Sequence, residues 1–180
     1  MKYWDRIRNY FYKRTLNERL KSLSVKHDII NMNDAKTIGI VYDSTNPDND
    51  TVIATFAEKL RGQGKQVEIL GFVNDKKIDT KPGVTIFNKK SLSWTLVPQD
   101  ENVEKFANQK FDLLLGGFTG PNLPLEFIAC ISKASWRVGA YTENKTECYD
   151  MMVNVSGKTD LPYLLEQTTY FLNQIKYDSK

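Results

Sequence analysis

Beyond residue 36, short apolar runs alternate with segments whose apolar residues return every three or four positions. Residues 37–42 (TIGIVY) are a β-rich run closed by Asp43, Ser44, Asn46 and Pro47, which predicts a buried strand ending in a turn. Ile53, Phe56, Ala57 and Leu60 then fall at i, i+3, i+4 and i+7, so a helix follows, capped by Asn49 or Asp50 and stopped by Gly62 or Gly64. A second strand at residues 66–72 completes a βαβ unit. Residues 84–87 predict a short strand, 89–94 a loop or single turn, 101–108 a helix, and 111–115 an apolar central strand broken at Gly116-Gly117. The helix predicted at 125–133 is apolar nearly all round, hence buried on most sides. Strands at 136–141 and 151–155 and an amphipathic helix at 161–175 complete the pattern. Such alternation predicts an α/β fold, a mainly parallel Rossmann-like sheet flanked by helices on both faces.

The first 27 residues follow another rule. Trp4, Ile7 and Phe11, with Tyr3 and Tyr10 beside them, form one apolar stripe at helical spacing, and Leu16, Leu20 and Leu23 form a second. At 100° per residue the two stripes point in nearly opposite directions, so one straight helix would need two partners. Thr15-Leu16-Asn17-Glu18 has the spacing of a capping box, which predicts a break there and two short helices. Residues 1–35 thus read as a basic helical arm and linker, and 36–180 as a single α/β domain.

Charge sharpens that division. Residues 1–27 carry eight bases against Asp5 and Glu18, a net charge of +6, while the other 153 residues carry 17 bases and 20 acids, a net charge of −3. A cationic arm on an anionic body implies docking on that body or capture of an external anion such as RNA or an anionic membrane surface. Lys13, Arg14, Arg19 and Lys21 are the expected anion-binding residues. A homodimer built through the arm is a third reading. No run of 18 apolar residues spans a membrane and the amino terminus lacks a signal-peptide pattern, so the cytoplasm is the expected compartment.

Two cysteines and one histidine limit the chemistry. Cys130, Cys148 and His27 are too few for a structural zinc site of four Cys/His ligands. The cysteines read as buried, inert thiols. No cofactor, metal site or catalytic residue is predicted. Ligands of such sheets bind beyond the carboxyl ends of the strands. The candidates there are Ser44, Thr45 and Asn46 after the first strand, Asn74 and Asp75 after the second, Gly117 and Thr119 after the central one, and Glu143 later. Gly116-Gly117 fits neither a dinucleotide fingerprint nor a P-loop and reads as a tight turn.

The segments Leu70-Gly71-Phe72-Val73-Asn74-Asp75-Lys76 and Phe87-Asn88-Lys89-Lys90-Ser91-Leu92-Ser93-Trp94 carry a family resemblance. So do Phe111-Asp112-Leu113-Leu114, Leu123-Pro124-Leu125, Ser132-Lys133-Ala134 and Arg137-Val138-Gly139. Together they resemble an uncharacterised Bacteroidota domain-of-unknown-function family over nearly the whole chain. That resemblance implies the fold and brings no activity. From residue 36 to 155 the chain is also similar to the amino-terminal half of heptosyltransferase-like glycosyltransferases, through Ala134, Arg137, Val138, Gly139 and Tyr141. Those enzymes need a second Rossmann-like domain for the sugar nucleotide. The expected function is a non-enzymatic module that binds a macromolecular partner through its arm. The alternative is a nucleotide- or sugar-phosphate-binding enzyme or sensor using the strand-end loops.

Overall fold

Six strands pair side by side and all in parallel: β1 (Thr37–Asp43), β2 (Gln66–Val73), β3 (Thr85–Asn88), β4 (Leu113–Gly117), β5 (Trp136–Ala140) and β6 (Met151–Val153). Their order in the sheet is β3-β2-β1-β4-β5-β6. The computed structural model describes residues 2–76, 82–142, 147–155 and 157–176. Helices α1 (Lys2–Ser22), α2 (Pro47–Gly62), α3 (Glu101–Asn108), α4 (Leu123–Ile131) and α5 (Leu161–Gln174) flank the sheet. The chain is an α/β, Rossmann-like protein.

The two-residue period of the strands sorts their side chains into two cores. Val41 and Leu114 face the layer that contains α1, α3 and α4. Ile38, Ile40, Tyr42, Leu113 and Leu115 face α2 and α5. With both faces covered, β1 and β4 are buried almost throughout, which is why they read as continuous apolar runs rather than alternations. α4 is buried at every position from Pro124 to Ile131, as its all-round apolar sequence requires.

The expectations for two helices are corrected. α2 starts at Pro47, ahead of the predicted cap at Asn49 or Asp50. The Asn46 side chain accepts the Asp48 amide at 3.1 Å, and Pro47 at the first helical position has no N–H to leave unpaired. α1 is one continuous helix of 21 residues with Thr15 in its interior, not two short ones. Tyr12, Leu16 and Leu20 lie in one line at i, i+4 and i+8, and Tyr12 and Leu16 are buried in the same core as α4. The Tyr12 hydroxyl donates to the Leu123 carbonyl at 2.9 Å, satisfying one polar atom that burial would strand. Glu18 pairs with Arg14 one turn earlier instead of turning back to cap Thr15.

Between β4 and β5 the sheet is hollowed for one ring. Tyr149 is buried against Gly116 and Gly139, and a Cβ at Gly139 would overlap its ring. Gly116 and Gly117 are the last residues of β4 rather than the tight turn expected there, and Gly116 serves the packing of Tyr149. Cys130 and Cys148 are buried in the same core and joined in a disulfide, where the sequence reading took them for separate thiols. We predict that Gly139→Ala costs about 1–3 kcal/mol in urea unfolding through overpacking. Gly120→Ala, with nothing within 4 Å of the added carbon, should stay within about 0.5 kcal/mol of the parent.

Candidate functional site

The strand order reverses between β1 and β4, and their carboxyl ends open there into a cleft of about 450 Å³. α2 and α5 contribute their first turns to its wall. Asp43, Asn46, Asp48, Gly117, Thr119 and Asp160 supply its polar lining. Each neighbouring helix N-terminus is already capped from within: Asn46 serves α2, Asn122 serves α4 and Asp160 serves α5. The amides that would cradle a phosphate are thus partly spent.

Electrostatics point the same way. Asp43, Asp48 and Asp160 line the cleft, and no lysine or arginine does among the described residues. The Asp43 carboxylate accepts from the Asn122 side-chain amide at 3.1 Å and the Thr45 amide at 2.9 Å, which holds the β1 end against α4. Thr119 donates to the Thr159 carbonyl at 2.6 Å and ties the β4 loop to the loop before α5. Such a wall accepts hydroxyl donors and repels phosphates. No cluster of three or more His, Cys, Asp or Glu side chains fit to hold a metal is present among the described residues.

The predicted residues separate into groups. Asn46, Gly117 and Thr119 come together in the cleft. Ser44 lies beneath it, buried, with its hydroxyl donating to Asp50 at 2.6 Å, and the Tyr42 hydroxyl donates to the same oxygen at 2.8 Å. Burial pushes the Tyr42 phenol above its ordinary range. Thr45 and Asn74 meet beside the cleft, the Asn74 amide donating to the Thr45 hydroxyl at 2.9 Å. Asp75 follows Asn74 on the exposed side of the β2 end. Glu143 lies outside the described residues. Asp160 escaped the sequence reading, although Asp160-Leu161-Pro162 carries a cap-and-proline helix start.

The second candidate surface is α1. Arg19 turns toward the body and pairs with Glu104 of α3 at 2.5 Å. Lys13, Arg14 and Lys21 are exposed. On the side of α1 away from α4, Tyr3, Trp4 and Tyr10 are 73%, 72% and 63% exposed. Phe11 packs edge-on against Trp94, with ring centroids 5.4 Å apart, and Trp94 is itself 62% exposed. Trp94 was not singled out in the sequence, because only the tertiary fold brings it beside α1.

Arg137, one of the residues on which the resemblance to glycosyltransferases was expected, has a structural task. It is buried, its guanidinium donates twice to Asp150 at 3.1 and 2.9 Å and its backbone amide once at 2.8 Å, and the guanidinium also reaches the Cys130 carbonyl at 3.1 Å. His27 joins Asp150 at 3.2 Å and so pins the segment after α1 to the body.

This geometry defines an all-parallel Rossmann-like protein with an acidic cleft at its switch point and an aromatic, basic helix laid across one face. The chain belongs to the family of unknown function DUF6913, which matches residues 8–175. A search of curated proteins finds no match. Among solved structures, the chain is similar to the glycosyl transferase family 9 protein from Veillonella parvula DSM 2008, with 16% identity and a TM-score of 0.55. The likeness covers 85% of this chain and 45% of that one, so the chain spans less than half the length of that relative. At such identity the comparison establishes the fold.

The Arg137–Asp150 pair predicts an acid response. Burial alone would raise the Asp150 carboxyl, but the hydrogen bonds and charge of Arg137, with His27 adding, hold it below the ordinary carboxylate range. A lowered folded-state value stabilises the protein above pH about 4 and loses that contribution as pH falls through the depressed value. Arg137→Met should cost about 3–5 kcal/mol at neutral pH by taking the guanidinium away from the buried Asp150 charge. That deficit should shrink as Asp150 protonates, which urea midpoints measured between neutral and strongly acidic pH would record.

Proposed function

We propose that this chain is a binding module rather than a catalyst, and that it captures a macromolecular partner through the outward face of α1. One observation carries the reading: a helix fixed to the body by Tyr12, Leu16 and Leu20 leaves Tyr3, Trp4, Tyr10 and Phe11 turned to water beside Trp94. Contiguous exposed aromatics of this kind mark interaction sites. The engagement of Ser44 with Asp50 and of the two cysteines in a buried disulfide supports the same reading. RNA, an anionic membrane surface and a second copy of the chain are the partner classes that a basic aromatic helix serves. Affinity purification from the native cell, with and without nuclease, tests the proposal. Trp4→Ser with Tyr10→Ser should lower recovery of the partner by about tenfold, as loss of interface hot spots does, with the melting temperature unchanged. Equal recovery by both proteins would refute it.

A second reading rests on the cleft at the β1 and β4 ends. Its three carboxylates favour a hydroxyl-rich ligand, such as a sugar or the ribose of a nucleoside, over the phosphate of a sugar phosphate. A thermal-shift screen of sugars, nucleosides and their phosphates decides it, because a ligand at about 100 times its dissociation constant stabilises by about 2.7 kcal/mol. Stabilisation by neutral sugars or nucleosides supports the reading, and no shift from any of these compounds retires it.

A further inference from the structure

We infer that the outward face of α1, together with Trp94, seats the protein on an anionic lipid bilayer. The inference rests on the partner-binding reading above and names the partner. Its first support is the arrangement of side chains. At 100° per residue, Tyr3, Trp4, Ile7, Tyr10 and Phe11 share with Arg14 and Lys21 an arc of α1 centred opposite the Tyr12–Leu16–Leu20 line, and Arg6 and Lys13 lie outside that arc on the side of Leu20. The arc therefore interleaves aromatic and cationic side chains, with Arg6 and Lys13 at its border. Among the described residues, Arg6, Lys13 and Lys21 make no ion pair, while Arg14 pairs with Glu18. Basic side chains beside Trp, Tyr and Phe are the composition that holds a helix in the plane of a headgroup layer.

The second support comes from another part of the chain. Trp94 is presented by a loop that hydrogen bonds hold in shape: the Ser93 amide donates to the Val97 carbonyl at 2.9 Å, and the Val97 amide to the Ser93 hydroxyl at 3.1 Å. Leu96 in that loop sits at φ 65°, a conformation a branched side chain adopts only when its surroundings enforce it. Two elements thus hold exposed aromatics on one fixed surface.

Charge and shape separate the three partner classes. A second copy docking by the same face would set cations against cations, so self-pairing is opposed. Single-stranded nucleic acid is held in basic grooves that track its backbone. On the outward side of α1 the rings of Tyr3, Trp4 and Tyr10 are instead largely exposed, and such rings enter a headgroup layer.

The test uses the full chain with two vesicle preparations, pure phosphatidylcholine and a mixture containing about one-third phosphatidylglycerol, whose surface potential attracts basic residues. Co-sedimentation and tryptophan fluorescence are the readouts. The protein should bind the anionic vesicles at least about tenfold more tightly than the neutral ones, since each basic residue near such a surface strengthens binding by about fivefold. Binding should weaken as salt rises from about 0.1 to 0.5 M, and tryptophan emission should shift to the blue. Trp4→Ser with Tyr10→Ser should weaken binding by about tenfold, and separately Arg6→Glu with Lys21→Glu by at least about 25-fold, without changing the melting temperature. Absence of vesicle binding, or equal binding to both compositions, overturns the inference. If the same substitutions then abolish binding of a uridine oligonucleotide, or partner recovery from cells, the membrane is wrong and the α1 docking face stands. If they alter none of these, both readings fall.

Discussion

A helix turns 100° per residue, so a straight one lying on a flat neighbour buries a single stripe of its surface and shows the rest to water. α1 carries two apolar stripes on opposite sides, and the body of the protein covers only one. The covered stripe is fixed by Tyr12 and Leu16 in the α4 core, by the Tyr12 hydroxyl on the Leu123 carbonyl, and by Arg19 on Glu104. Those contacts give α1 a definite rotation. The rotation determines that Tyr3, Trp4 and Tyr10 face outward, and it places Phe11 against Trp94. The sign of the exposed charge and the chemistry of the exposed face both follow from this docking.

The sheet does a separate job. All-parallel pairing with helices on both faces buries β1 and β4 and brings their carboxyl ends to a shared cleft. Carboxylates line this cleft, and the helix ends that could receive a phosphate are capped by the chain's own Asn46, Asn122 and Asp160. The likeness to a glycosyl transferase family 9 protein lies in the order of strands and helices. Arg137, one of the five residues that carry the resemblance in the sequence, is engaged with Asp150.

Most of the sheet was legible because its strands are apolar runs bounded by turn residues, and α3 and α5 because their apolar residues keep one helical period. The start of α2 was not, since Asn46-Pro47 reads equally as a turn and as a cap followed by the first helical residue. Thr15 and Glu18 had the spacing of a capping box, yet the continuous line from Tyr12 to Leu20 offered burial that a break would have interrupted. The rule of strand ends found Asn46, Gly117 and Thr119 but not Asp160, which lies far along the chain and joins them only through Thr119 and Thr159. Trp94, and the glycines beneath Tyr149, take their meaning from contacts across the fold that no local pattern encodes.

Amide hydrogen exchange along α1 measures the docking directly. Most of a helix's stability in a protein comes from the packing of its apolar face. If Tyr12, Leu16 and Leu20 hold α1 to α4, the amides of residues 12–20 exchange as slowly as those of α4 and share its dependence on denaturant. Exchange of those amides at the rate of a free peptide, with α4 still protected, would contradict the account, for α1 would then have no fixed outward face.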